Sequence, residues 1–406
     1  MGGLVARTRR LDSDPDLVTV AGEAGFLWAR GRVGVAGRGQ ATRIDVPRDD
    51  PATAAKAVHD VLDAVEIDDE VRLPGCGPVA FGALTFDPSV AGSLVVPELV
   101  VGRSEDGTRW ATAVTPGGDM PRLPSLDDAR RPEPTAFRVE SERPVATWCG
   151  DLEAARTALR AGFAEKVVLA RAVGVQADVD LSVQSILDRL RGTYPSCMLF
   201  SVDGFIGATP ELLVARAGDL VKSHPMAGTA PRSDDPTTDA RLAASLIAST
   251  KDRQEHRLTI DMVHDTLLPW CSYLDEEAEP SIVAMANVQH LATAVEGRLS
   301  SPAASVIELM VALHPTPAVG GAPRAAAFEL IERHEATDRG RFGGPVGWVD
   351  AAGNGAWSVG IRSAEISGNR ARLLAGVGVL PDSDTEAELA ETRAKLQALL
   401  GAIVRP

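Results

Sequence analysis

Aromatic residues are scarce in this chain, at 4% of 406 residues, so its core has to be built from Ala, Val, Leu and Ile rather than from stacked rings. Cysteine is scarcer. Cys76, Cys149, Cys197 and Cys271 form no CxxC pair, which predicts reduced, mostly buried thiols in a cytoplasmic protein. No apolar run approaches the ~20 residues of a membrane span, and the opening MGGLVARTRRLDSDPD has no apolar secretory core. Positive charge is in deficit. A formal net charge of -15 argues against non-specific binding to nucleic acid or to an anionic membrane. It leaves room for a small anion held by a local cluster of cations. No glycine-rich loop runs into GK[ST], no GxGxxG stands between a strand and a helix, and HExxH, GxSxG and zinc-ligand spacings are missing. P-loop, dinucleotide, metalloprotease and esterase readings fall away with them.

What is present is the composition of an ordinary globular protein, with 45% hydrophobic and 24% charged residues, and length enough for two or three domains. Up to about Arg138 the pattern mixes strands and turns, with a helix over Ala52 to Val65 and buried strands over Val79 to Phe86 and Ser93 to Val101. The stretch Thr115 to Pro134, rich in Pro, Gly and Asp, reads as a long exposed connection. It divides an N-terminal region, residues 1–140, from a C-terminal region, residues 145–406.

In the C-terminal region helices and strands alternate. Gly150 to Ala161, Leu181 to Arg191, Asp239 to Leu268, Ser305 to Leu313, Ala322 to Arg333 and Thr385 to Val404 read as helices. Lys166 to Ala172, Gly343 to Val349, Ala356 to Ile366 and Arg370 to Val379 read as strands, and Asp203-Gly204 as the turn of a hairpin from Cys197 to Thr209. So many hairpin connections predict an α+β fold of mostly antiparallel sheets with helices packed outside.

Some ionisable residues keep unusual company. Lys166 opens an apolar strand, where a lysine either snorkels to solvent or is held in a polar cavity. Glu211 stands between GATP and LLV, a place for a solvated turn residue or a buried acid. Asp252 and Glu255 lie three apart on a helix, and so do Glu388 and Glu391. If the two helices met, their carboxylates would make an oxygen-rich site for a hard cation such as Mg²⁺; if not, they are solvated faces. The glycine-rich pieces HPMAGTA, GRFGGPVG and AGVG are either plain turns or places where backbone N–H groups approach an anion.

These pieces, in this order, resemble the chorismate-binding enzymes, a family that includes isochorismate, salicylate, anthranilate and aminodeoxychorismate synthases. The resemblance covers about Trp148 to Ile403. It runs through KVVLAR, ATPELL, HPMAGTAPR, KDRQEH, LHPTPAVGGAP, RGRFGGPVGW, WSVGIRSAEI, AGVGVLPDSDTEAE and ETRAKL, with a weaker signal in FGALTFDP. It implies two facing, mostly antiparallel β-sheets with outer helices and an active site in the cleft between them. It implies that Lys166 is the base that activates water and Glu211 the acid beneath the departing 4-hydroxyl. Glu255 and Glu391 would hold Mg²⁺. Arg362 and Lys395 would hold substrate carboxylates, Gly228, Thr229, Gly376 and Gly378 would present backbone to the substrate, and Ala318 would line the ring pocket.

The implied reaction adds water at C2 of chorismate, shifts the double bonds and expels the 4-hydroxyl. A base and an acid of this kind each contribute on the order of 10²- to 10⁴-fold. Lys166 must be neutral to act, and Glu211 must be protonated. Lys166 itself speaks for water, because ammonia-using anthranilate synthases typically carry Gln there. Ala227 stands where aminodeoxychorismate synthases carry Lys, and LARND is missing after the EH pair. The expectation is therefore an isochorismate synthase, an isomerase feeding siderophore or menaquinone biosynthesis, with LHPTPAVGG favouring it over the alternative, a salicylate synthase that goes on to eliminate pyruvate. A non-catalytic chorismate sensor would have lost Lys166, Glu211 or a metal ligand. A monomer without an amidotransferase subunit is expected. Phe342 stands where some relatives carry a tyrosine, so no side-chain hydroxyl is expected there.

Overall fold

The computed structural model describes residues 3–123, 132–233 and 235–404; part of the connection expected over Thr115 to Pro134 lies outside them. Two large sheets form the frame. Among the described residues the first has 13 strands. At one end stand Phe137–Ser141, Lys166–Ala177, Arg370–Val379 and Ser363–Ser367; the hairpin Met198–Val202 and Phe205–Thr209 follows, then Phe26–Arg30 and Val33–Arg38, and Val5–Arg10 lies near the far end. The second has nine strands, among them Leu212–Ala217, Gly355–Val359, Pro345–Asp350 and Val79–Ala83. Among the described residues only Val5–Arg10 and Glu66–Asp69 pair in parallel. Everything else follows the antiparallel expectation.

The sheets pack face to face. Phe26, Val35, Trp110 and Phe200 from the first meet Phe81, Val346 and Trp348 from the second in one buried cluster, and the Trp28 indole N–H donates to Ser358 Oγ at 3.2 Å across the interface. Helices Leu17–Ala21, Val183–Thr193 and Thr385–Val404 cover the outer face of the first sheet. Pro51–Leu62, Thr250–Leu267 and Val306–Leu313 cover that of the second. Strands from both parts of the chain interleave: Phe26–Arg30 pairs with Met198–Val202, and Val79–Ala83 with Pro345–Asp350.

Five local expectations are refined. Ala356 to Ile366 is two strands, Gly355–Val359 in the second sheet and Ser363–Ser367 in the first. Ser93 to Val101 is two strands, because Pro97, which has no N–H to give a ladder, sits where the chain passes from Gly92–Val96 in the second sheet to Leu99–Arg103 in the first. The strand that opens with Lys166 runs on to Ala177, paired along its length with Arg370–Val379. The helical stretch Asp239 to Leu268 is two helices broken at Ser249, whose hydroxyl accepts the Asp252 N–H and caps the second one. A third sheet of three strands adds to the expected pair: Met226–Pro231, Val288–Ala292 and Ser281–Ala284. Its first two strands continue second-sheet strands past Pro225 and past Thr293-Ala294. A register shift at Gly228, with φ at +78°, bends Met226–Pro231 over the cleft.

Candidate active site

The end of the first sheet, the small third sheet and helices Thr250–Leu267 and Thr385–Val404 line a cavity open to solvent, with about 720 Å³ of space between its walls and at its mouth. Ten of the residues singled out in the sequence line it: Glu211, Gly228, Thr229, Glu255, Ala318, Arg362, Gly376, Gly378, Glu391 and Lys395. Lys166 stands just behind them, fully buried, with Nζ 3.0 Å from Glu255 Oε1. Nζ has no polar partner beyond this ion pair. Position follows from the sheet. Val168 lies opposite Gly378 and Ala170 opposite Gly376. A Cβ at Gly378 would stand 2.2 Å from Glu255 Oε1 and 2.9 Å from Lys166 Cε, so only glycine leaves room for the ion pair.

Glu211 follows strand Phe205–Thr209 through Pro210 and is buried. Burial pushes its carboxyl up from 4.5 to about 8, against the opposing pull of Lys166, the Met226 N–H, Lys395 and Arg362. It is therefore a neutral acid at pH 7. Glu255 behaves differently in the same wall. Burial would raise it, but Lys166, Lys395 and Lys251 together hold it below the usual carboxylate range. One carboxyl is thus kept as a proton donor and the other as an anion, a separation that marks functional sites.

Arg362 occupies a tight turn with φ at +49°, a strained conformation for a residue with a side chain. The turn is locked by the Ala208 N–H donating to the Arg362 carbonyl at 3.1 Å. Its guanidinium is buried; Nη2 donates to His290 Nε2 at 3.0 Å, and Nη1 has no partner. His290 was not singled out in the sequence. Its Nδ1 lies 3.1 Å from the Gly228 carbonyl and from Thr229 Oγ1. An arginine can only donate and a carbonyl can only accept, so the proton sits on Nδ1 and the ring is neutral. Burial, then Arg362 and Lys395, hold its basicity well below 6.5. A lone histidine in an apolar strand, NVQHLAT, carries no local signal of this role.

Helices Thr250–Leu267 and Thr385–Val404 bring Glu255 and Glu391 to the one cavity. Three acids on these helices each have a lysine: Lys166 for Glu255, Lys395 for Glu391 at 2.6 Å, and Lys251 for Glu388 at 2.9 Å. Lys395 Nζ also donates to the Gly376 carbonyl at 2.9 Å. Among the described residues no three His, Cys, Asp or Glu side chains converge. Two carboxylates with space for water and substrate oxygens are a donor set that fits Mg²⁺. Phe342 lines the cavity with no hydroxyl to offer.

A larger cleft, about 2960 Å³ measured the same way, lies elsewhere, between Glu23, Arg38, Arg43 and Arg341. Its described walls hold no buried side-chain nitrogen or oxygen without a partner. Chemistry, not size, selects the smaller cavity. Among the described residues no helix is long and apolar enough to cross a membrane.

Known proteins resemble this chain over nearly its whole length. Residues 18–404 match the family described as chorismate binding enzyme. A Mycobacterium tuberculosis protein named provisionally as the isochorismate synthase MenF is 40% identical over 342 residues, 81% of this chain and 87% of the relative. The isochorismate synthase DhbC of Bacillus subtilis is 36% identical over 340 residues, 80% of this chain and 81% of the relative. A crystal structure from Bacillus anthracis, titled provisionally as a 2,3-dihydroxybenzoate-specific isochorismate synthase, superimposes with a TM-score of 0.80 at 32% identity, covering 94% of this chain and 96% of its own. A sandwich of facing antiparallel sheets, a cleft that gathers the candidate residues and a match from residue 18 to residue 404 lead to one conclusion: the chain belongs to the chorismate-binding enzyme family.

Proposed function

We propose that this protein is an isochorismate synthase, which converts chorismate to isochorismate by adding water at C2 and expelling the 4-hydroxyl. The observation that carries the reading is a buried amine, Lys166 Nζ, with no polar partner beyond Glu255, and a buried guanidinium with an unpartnered donor, Arg362 Nη1, in or just behind the wall of a cavity that also holds a protonated carboxyl, Glu211. Unpartnered buried donors demand an acceptor-rich ligand, and a dianion with two carboxylates and a leaving hydroxyl supplies what each group lacks.

In this reading Arg362 and Lys395 receive carboxylates, with neutral His290 fixing the guanidinium through Nε2. The backbone at Gly228, Thr229, Gly376 and Gly378 and the small side chain of Ala318 let the ring lie close against the walls. Lys166 in its neutral form takes a proton from water as the oxygen bonds to C2. The ring double bonds shift, the C4–O bond breaks, and Glu211 delivers its proton to the departing hydroxyl, which leaves as water. Glu255 and Glu391 would hold Mg²⁺, which when bound would neutralise a substrate carboxylate and accept charge that moves toward it. The described residues up to Glu140 would act by completing both sheets around the cleft.

Incubation of the purified protein with chorismate and Mg²⁺, with and without ammonium, tests this. A product with the mass of chorismate and a new retention time, independent of ammonium and abolished by EDTA, is expected. Salicylate plus pyruvate would replace the assignment with salicylate synthase, and an aminated product would overturn the role of Lys166.

A further inference from the structure

Behind the ring side of the cavity lies a buried ion pair to which the reaction gives no part. Glu335 is 2% exposed and Arg339 4%. The guanidinium meets the carboxylate through two bonds, Nε to Oε1 and Nη2 to Oε2, both 2.5 Å. Two of its three remaining hydrogens go to backbone carbonyls of cavity-lining residues: Nη1 to Val319 at 2.7 Å and Nη2 to Val168 at 2.8 Å. Glu335 Oε2 in turn accepts the Ala170 N–H at 2.8 Å. The guanidinium lies 4.1 Å from the centroid of the Phe86 ring, and the Arg339 carbonyl accepts the Phe342 N–H at 2.9 Å. One pair thus ties together the strand that opens with Lys166, the loop that carries Ala318, and the turn that carries Phe342.

We propose that Arg339 and Glu335 are positioning residues, which fix the Ala318–Val319 loop and the Lys166 strand at the separation needed for the base to reach its water on the substrate ring. This rests on the isochorismate synthase reading and deepens it. Desolvating two charges is costly, and a hydrophobic pair of equal volume is often as stable. What the hydrophobic pair cannot supply is a planar fork with four directed bonds. Helices Thr250–Leu267 and Thr385–Val404, which carry Glu255 and Glu391, make none of these contacts, so the pair acts on the base and the ring wall only.

Arg339→Lys keeps the charge and loses the fork, and Phe86→Leu keeps the fork and loses the ring beneath it. Both are assayed for kcat, KM for chorismate, Mg²⁺ affinity by calorimetry and melting temperature, beside a wild-type protein first shown to make isochorismate. Misplacement by about 1 Å costs on the order of 10²-fold. The expected result for Arg339→Lys is therefore a kcat loss of about tenfold to a hundredfold, with KM and Mg²⁺ affinity within about threefold of wild type and a smaller loss in Phe86→Leu. A folded Arg339→Lys protein with wild-type kcat would overturn the proposal. So would a parallel loss of kcat, Mg²⁺ affinity and melting temperature in Phe86→Leu, which would make the pair merely structural. A wild-type protein that makes no isochorismate would instead refute the function on which the proposal rests.

Discussion

Glu211 should keep its proton at neutral pH. Burial lifts its carboxyl from 4.5 to about 8, so at pH 7 the neutral form outnumbers the anion about ten to one. The separation corresponds to about 5 kcal/mol favouring the neutral form. The sign for stability follows from proton uptake. Between pH 4.5 and 8 the unfolded chain has released this proton and the folded chain has not, so the group's contribution is complete below 4.5 and fades as the pH rises through about 8. Two outcomes follow. Infrared difference spectra of the metal-free protein should show a protonated-carboxyl C=O band at pH 7 that disappears by pH 9 and is missing in Glu211→Gln. The variant should lose at least about 10²-fold in kcat while unfolding at the same or higher denaturant concentration at pH 8. A carboxyl that titrates near 4.5, or a Glu211→Gln protein that turns over chorismate normally, would refute the assignment of the acid.

Lys166→Ala should abolish hydration while chorismate binding, followed by calorimetry, stays within a few fold; near-normal turnover would remove the base. Glu391→Gln should raise the Mg²⁺ concentration needed for half-maximal rate by at least about tenfold, and an unchanged metal titration would remove that ligand. Lys395 holds Glu391 at 2.6 Å, and a metal ion at that carboxylate competes with it. A pair of this kind is worth up to about 1 kcal/mol, or about fivefold in affinity. Lys395→Met should therefore bind Mg²⁺ up to about fivefold more tightly without substrate and chorismate more weakly, and a protein that binds both as wild type does would refute its role.

Much of this site was legible because helical spacing is rigid. Glu255 and Glu391, each three residues after another acid, were bound to share a face with their neighbours. Whether the two helices met could be known only from their tertiary packing. Lys166 and Glu211 each had an innocuous alternative, and only burial on all sides separates a base and an acid from solvated residues. His290 stayed hidden because its meaning lies in two partners from other elements, Arg362 and Gly228. Glu335 and Arg339 are four apart in a polar stretch where nothing local marks burial, although Arg339 opens RGRFGGPVGW. They are buried because the carbonyls of Val168 and Val319 converge on them from a strand and a loop. The third sheet escaped for a similar reason: nothing local marks the point after Pro225 where a strand changes sheets.

The central claim is that solvent water enters at C2 as the 4-hydroxyl departs. Running the reaction to partial conversion in ¹⁸O-labelled water and weighing both compounds tests it most directly. The account predicts isochorismate two mass units heavier than the starting chorismate, with the heavy oxygen at C2. Isochorismate that carries no solvent oxygen would contradict it, because the hydroxyl would then have migrated within the substrate and neither Lys166 nor Glu211 would have the part assigned here.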